Sequence, residues 1–475
     1  MGLPKSFQSV LCAGAALALL FSLDIVVNSR VFPLFYYFAP FAKDIATVAG
    51  AIALLVIALV ALKRPFPFVT FAMGMGFAAA AALGLALIVM GTTAASAPVT
   101  VTGAILFSVG GRTVVLMYAC FALVALDRRQ ASAALLGALI AQYPLGALAA
   151  ALPLVGALGY VGAAPFAALV LARKGGAGSV LSGQGKQPLA DLSIANPRSF
   201  LPFSSIVFLT FGLFNIATGC QLTYLAEEGI PQSTASSLVL LAVLAVLALC
   251  RRPLSGDTLV KLSCLFILTG FLLVPLTGLR DSAAQALLPL TPGLFSLGSS
   301  LLTLVFYLVF SEIGRRNRFG AVPLFAFGYA VIRFGFAGGA LLGSLMNENE
   351  STAVAVSVTM AFIFAAYGIL LLGKVSFRDL IDNVRAIPEP SPDALPASAP
   401  LERDLAERCE GVIADFGLTP RESEILTLLA QGRSIAVIQD ELVVSRNTVK
   451  THVKNIYAKL DVHSQQELID VVRRY

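Results

Sequence analysis

Apolar runs of about twenty residues recur through the first 374 residues of this 475-residue chain, and they constrain its fold more than any other feature. As a helix, such a run matches the hydrocarbon thickness of a bilayer. Inside lipid, only helices or closed barrels satisfy every backbone polar group. Twelve runs meet the length criterion: 9–27, 45–62, 66–90, 103–126, 131–152, 154–171, 202–224, 234–250, 258–277, 287–310, 321–345 and 352–373. Bulk properties agree, with a mean hydropathy of +0.85 and only 13% charged residues, about half the share of a soluble protein. Asp24 lies inside the first run and no small-residue cleavage site follows it, so a retained span is expected there rather than a signal peptide.

The basic residues give an independent reading of the same count. One set of alternate loops holds Lys5, Lys63, Arg64, Arg128, Arg129, Arg173, Lys174, Lys186, Arg198, Arg251, Arg252, Arg315, Arg316 and Arg318. The other set holds only Arg30, Lys43 and Arg280. This bias puts the first set on the cytoplasmic side. A multi-pass protein of the cell membrane is expected, with both termini in the cytoplasm.

Six spans lie on each side of the polar, Gly- and Ser-rich segment 172–200, and a weak echo links the halves. The fourth span contains Ser108-Val-Gly110 and the tenth Ser296-Leu-Gly298, each followed by a basic pair at the inner end. Two parallel six-helix repeats are a known transporter plan. Over about 370 residues the chain resembles the major facilitator superfamily, in architecture more than in motif. Lys63-Arg64-Pro65 stands where members usually carry Gly-x-x-x-Asp-Arg-x-Gly-Arg-Arg, which argues against ordinary alternating-access transport.

Charges within spans are costly and therefore informative. Asp24, Arg112 and Arg333 stand out. The resemblance implies that spans one, four, seven and ten line a central cavity, where Asp24 and Arg112 could pair. Asn215, Gln221 and Tyr224 of span seven and Ser296, Ser299 and Ser300 of span ten would face the same space. The candidate ligand set is Asp24, Arg112, Asn215, Gln221, Ser300 and Arg333. The alternative is that these charges only fix helix packing. Two guanidinium groups favour an anionic or phenolic small molecule as the ligand.

Beyond Lys374 the composition turns polar, and Pro388, Pro390, Pro392, Pro396 and Pro400 predict an extended tether over 375–400. Residues 401–475 carry 10 Lys+Arg against 12 Asp+Glu, so the chain's net charge of +6 does not come from them. A short amphipathic helix is predicted at about 401–415. Thr419-Pro420-Arg421-Glu422 is a capping box with proline at the first helical position. Gly432 ends that helix, Ser434 caps a second running to about Leu442, and Ser445 caps a third running to about Lys459. Ser464-Gln465-Gln466-Glu467 reads as a second capping box for a fourth helix. Two helices across the short Val443-Val444 turn make a helix-turn-helix. The stretch 445–459 has four basic residues and no acidic one, the footprint of a helix that enters a DNA groove.

These residues resemble the LuxR-type (GerE-like) DNA-binding domain over 418–472. The match rests on Leu418-Thr419-Pro420-Arg421-Glu422, Gly432, Ser445-x-x-Thr448-Val449-Lys450-x-His452 and Lys459-Leu460-x-Val462. The resemblance implies that Lys450, Thr451 and Lys454 face the groove, with Arg446, Asn447 and His452 near bases or phosphates. Two departures stand out: Val437-Ile438-Gln439 replaces the usual Glu-Ile-Ala, and Gln465 replaces an Arg. Double-stranded promoter DNA, bound as a homodimer, is the implied partner, beside the lipid bilayer and an unidentified small molecule.

The sequence therefore predicts an all-α protein: a polytopic twelve-helix transmembrane bundle over 1–374, a Pro-rich linker, and a cytoplasmic four-helix LuxR-type domain within 401–475. No receiver domain is expected ahead of the module, so the membrane part is the candidate input. The six cysteines show no C-x-x-C spacing and read as buried thiols. Both histidines lie in the module and no nucleotide motif is present, so neither an enzyme nor a bound cofactor or metal is expected. The competing reading is a secondary transporter whose tail regulates its own expression.

Overall fold

The computed structural model describes residues 4–63, 69–181, 199–224, 255–275, 290–370, 376–384 and 399–475. Among these every regular element is helical. They divide into two compact units. The first comprises Met1–Leu59, Pro67–Gly183 and Phe203–Ile381. The second contains Asp382–Tyr475 together with Val60–Phe66 and Gln184–Pro202.

In chain order the first unit holds α1 (Lys5–Val26), α2 (Ala42–Lys63), α3 (Phe71–Thr93), α4 (Ala97–Arg112), α5 (Val114–Val124), α6 (Arg128–Ala151), α7 (Leu154–Lys174), α8 (Ala177–Leu181), α9 (Ile206–Thr223), α10 (Gly256–Leu273), α11 (Leu290–Arg316), α12 (Ala321–Met346), α13 (Glu350–Leu370) and α14 (Phe377–Asn383). Eleven spans among the described residues are long and apolar enough to cross a bilayer. The eighth expected span, 234–250, lies outside the described residues.

Helix pairing repeats between the halves. The first span (α1) packs on the fifth (α6) as the seventh (α9) packs on the eleventh (α12), and the third (α3) on the fourth (α4) as the ninth (α10) on the tenth (α11). The Ser-x-Gly echo has a physical reason in this pattern. A Cβ on Gly110 would collide with the backbone of Phe77 and Ala81 on α3, and one on Gly298 would collide with Ile267 on α10. Ser263 donates to the Gly298 carbonyl across the crossing. Small residues at such crossings let membrane helices approach closely, where packing rather than hydrophobicity drives association.

Two spans depart from simple rods. The first extends beyond 27 through a π-turn (Val27–Val31) and a 3-10 turn (Phe32–Leu34) that contains Pro33. Arg30 there donates to the Ala150 and Leu152 carbonyls at 2.6 and 3.1 Å, satisfying the open end of α6. The fourth span, read as continuous over 103–126, is broken at buried Thr113 (φ −113°, ψ −93°) between α4 and α5. Gly110-Gly111 lowers helix propensity just before the break. Leu152, held extended before Pro153, separates the fifth and sixth spans.

Short α14 follows the last span. Asp257, in the first turn of α10, accepts from the Phe377 N–H at 2.6 Å and from the Ser376 hydroxyl at 3.3 Å. Arg316, at the end of α11, donates to the Ile381 carbonyl at 2.5 Å. The helix is thus fastened at both ends, and the membrane unit continues through Ile381.

The second unit holds α15 (Ala399–Asp415), α16 (Pro420–Ala430), α17 (Ile435–Leu442), α18 (Arg446–Leu460) and α19 (Gln465–Arg474). Their apolar faces form one core around Ile425, Leu429, Ile438, Val449, Val453, Ile456 and Leu468, all at most 1% exposed. α15 packs on α16 and α19. Gly411 leaves room for the Tyr475 ring, whose hydroxyl donates to Asp415 at 2.8 Å.

Candidate functional sites

In the second unit, α18 is positioned at both ends and along one side. Ser445 accepts from the Thr448 N–H at 3.2 Å, and Asp461 closes the helix in a left-handed conformation (φ 51°). Lys459 donates to Glu422 at 2.7 Å and to the Gly417 carbonyl at 2.9 Å, tying the last turn of α18 to the start of α16. The same Glu422 oxygen accepts the Thr419 N–H at 2.9 Å, completing the capping box. The Lys459 hydrogen bond, followed by that from Thr419, holds the Glu422 carboxyl down at about 2.

Val449, Val453, Ile456, Tyr457 and Leu460 point into the core. Asn447, Thr451 and Lys454 are exposed, and Arg446 and Lys450 are half-buried. At steps of one, three and four residues, Asn447, Lys450, Thr451 and Lys454 share one helix face away from the core, whereas the Nε and Nη2 atoms of Arg446 are enclosed. His452 differs. It is half-buried, its Nδ1 is enclosed without a hydrogen-bond partner, and it borders the core side rather than the stripe.

Of the two departures from the family pattern, the Gln465 side chain has a structural role, whereas Gln439 contributes to the turn through its backbone carbonyl. Gln465 donates to the Leu429 and Arg433 carbonyls at 3.0 and 3.1 Å, capping the end of α16. Gln439 is half-buried, and its carbonyl accepts from both Val443 and Val444 at the turn. Arg421 fixes that turn from the other side by donating to the Leu442 carbonyl at 2.9 Å. In the second capping box Ser464 accepts the Glu467 N–H, and Glu467 reaches back to the His463 N–H with one oxygen and to the Ser464 hydroxyl with the other.

In the membrane unit, Asp24 of α1 and Arg112 of α4 form an ion pair. Arg333 of α12 donates to the Ser108 hydroxyl at 2.9 Å and to the Arg112 carbonyl at 3.4 Å. The helix break at Thr113 leaves that carbonyl available. Gly50 on α2 makes room for the guanidinium, since a Cβ there would collide with Arg333. Sequence reasoning missed the groups beside this cluster. Cys120 meets the Tyr329 hydroxyl at 3.2 Å, and Tyr329 hydrogen-bonds Tyr307, which packs on Phe21. Apolar residue types gave no sign of that polar chain before the helices were brought together.

The remaining ligand candidates make other contacts. Asn215 donates to the Phe211 carbonyl of its own helix at 2.8 Å. Ser300 bonds Tyr143 of α6, and Gln221 is half-buried on α9. Among the described residues, no hydrogen bond links these three to Asp24, Arg112 or Arg333.

A four-helix module with a basic, outward-facing third helix and a bundle whose span pairing repeats between its described halves define two parts of one chain: residues 417–472 are a luxR-family domain, and the membrane unit has the major facilitator fold. The matching family is described as bacterial regulatory proteins, luxR family (GerE). Similar curated proteins include the uncharacterized response regulatory protein YgeK of Escherichia coli, 52% identical over 61 residues (13% of this chain and 42% of that protein). LiaR, a transcriptional regulatory protein of Bacillus subtilis, is 37% identical over 99 residues (20% of this chain and 46% of that protein). The chain thus spans less than half the length of these relatives. Among solved structures, the human organic anion transporter MFSD10 matches with a TM-score of 0.51 and 15% identity, over 78% of this chain and 100% of that one. A double-Trp XylE mutant matches with a TM-score of 0.52 and 13% identity, over 79% of this chain and 98% of that one.

Proposed function

We propose that the chain is a membrane-bound transcriptional regulator. Residues 1–374 sense a small molecule, 375–400 tether, and 401–475 bind promoter DNA as a homodimer from the cytoplasmic side of the cell membrane. The observation that carries this reading is the outward face of α18, which offers Asn447, Lys450, Thr451 and Lys454 from a luxR-family module in the same chain as a transporter-like bundle. A Lys at a base edge or phosphate anchors such a helix in the major groove. The Asp24–Arg112 pair supplies a two-state element, because a ligand shifts a conformational balance only by its differential affinity for the two states. No step of this function is enzymatic.

The major facilitator fold also suits a second reading, a secondary transporter with an autoregulatory tail; the similar human protein is itself described as an organic anion transporter. Chromatin immunoprecipitation of the tagged full-length chain tests the first reading. Discrete promoter fragments should be enriched from cells, and the Lys450→Ala/Lys454→Ala variant should lose them while staying in the membrane fraction. No enrichment with the wild-type chain would reject the regulator. Sustained, gradient-driven uptake of an inducing compound into vesicles containing the protein would favour the transporter.

A further inference from the structure

The charged cluster at the centre of the membrane unit has a specific imbalance. Arg112 and Arg333 bring two guanidinium groups, and Asp24 brings one carboxylate. Arg333 spends its contacts on neutral oxygens, the Ser108 hydroxyl and the Arg112 carbonyl, and has no carboxylate partner among the described residues. Lys43, on α2, is within electrostatic reach of Asp24 and Arg112, but its own neighbour Asp44 offsets it. The cluster is therefore left with one positive charge in excess. An uncompensated charge at this depth costs several kcal/mol, so a counter-ion is favoured.

Geometry indicates what that counter-ion is. The Asp24 and Arg112 side chains keep 44% and 39% of their surface open, so the pair is not sealed by the helices around it. Arg333 is held in place by two hydrogen bonds that leave other members of its five-donor fork unused. Guanidinium forks match the planar, two-oxygen geometry of a carboxylate. The Phe21 ring, packed on Tyr307, supplies an aromatic surface nearby. A single excess charge suits a monoanion better than a dianion.

We propose that Arg112 and Arg333 form a binding site for a small aromatic or aliphatic monocarboxylate, which competes with Asp24 for Arg112. This rests on the ligand-sensing part of the function above and names the class of ligand. Asp24 serves as the internal stand-in for the ligand carboxylate, and binding replaces an intrachain ion pair with an intermolecular one.

Thermal unfolding of the purified full-length protein in a neutral detergent tests the site, followed with a thiol-reactive dye that reports the buried cysteines. Sodium benzoate and sodium acetate are titrated to about 100 mM against sodium chloride at equal ionic strength, with benzamide as the neutral analogue of benzoate. A ligand that binds only the folded state raises the midpoint in a saturable way. Benzoate should do so, acetate should do so at higher concentration, and benzamide should not. Arg333→Gln and Arg112→Gln should abolish the shift. Asp24→Asn should keep the shift and lower the half-saturating benzoate concentration about threefold or more, because the internal competitor is gone. No shift with either carboxylate, an equal shift with benzamide, or a shift that survives Arg333→Gln would overturn the site. Should Arg333→Gln fail to fold, the Asp24→Asn titration decides, and an unchanged half-saturation rejects the proposal. A chain that occupies promoters normally but shows no carboxylate-specific shift would lose this site and keep the regulator reading.

Discussion

Replacing Glu422 should separate the two jobs of one carboxylate oxygen. That oxygen accepts the Thr419 N–H at 2.9 Å and the Lys459 ammonium at 2.7 Å, and the side chain is only 5% exposed. A carboxyl held at about 2 instead of its ordinary 4.5 corresponds to about 3 kcal/mol favouring the charged, folded form. Lys459 keeps 35% of its side-chain surface in solvent, and screening lowers this to about 2 kcal/mol. Glu422→Gln retains an acceptor for the capping N–H but gives Lys459 a neutral oxygen, so it should cost about 1–2 kcal/mol. Glu422→Ala also loses the cap and should cost about 1 kcal/mol more. Because the folded-state value is depressed, the contribution is complete above about pH 4.5 and is lost as pH falls through about 2. Urea unfolding of a 399–475 fragment, which has its own core, followed by helical circular dichroism from pH 7 to pH 2, measures this directly. The gap between wild type and Glu422→Gln should close across that window and should vanish in a Lys459→Met background. A gap that stays constant from pH 6 to pH 2 would refute the assigned role.

Three further outcomes are expected. Lys450→Ala should weaken operator binding by about 1–3 kcal/mol if Lys450 reads a base edge, whereas a phosphate contact would weaken all sequences alike and flatten the salt dependence; a gel shift on the module distinguishes these, and unchanged affinity of the Lys450→Ala/Lys454→Ala double variant rejects the α18 face. Val443 sits at the turn with φ 52° and 89% exposure, so Val443→Gly should relieve about 1–2 kcal/mol of left-handed strain against about 0.5–1 kcal/mol of added backbone entropy; the midpoint in urea should stay level or rise, and a clear fall would contradict this. Reporter fusions after Arg129, Arg318 and Lys374 should report cytoplasm, and those near Thr93 and Glu348 the outside; an external signal at Lys374 would exclude contact with cytoplasmic DNA.

Local chemistry made the C-terminal module legible. Thr419, Ser434, Ser445 and Gly432 each act within four residues of their own position, so their caps and stops could be read directly and were found in place. The membrane spans were legible as lengths and the Asp24–Arg112 pair as a cost that needed an answer. What escaped depended on distant partners. The break at Thr113 follows glycines chosen for packing against α3, and hydropathy does not register that choice. Gln465 read as a lost arginine, yet it serves carbonyls more than thirty residues away. Tyr307, Tyr329 and Cys120 come from three different helices and form a polar chain only once those helices pack.

The fastening of α14 has a mechanical consequence. Its first N–H is held by Asp257 at the start of the ninth span, and its Ile381 carbonyl by Arg316 at the end of the tenth. A helix of seven residues is only about 10 Å long, so two anchors at opposite ends leave it little freedom to swivel. The end of α14 therefore travels with the adjoining ends of the ninth and tenth spans, and not with the last span alone. Tilting of those two spans turns α14 with them, in the manner of a rudder on its post.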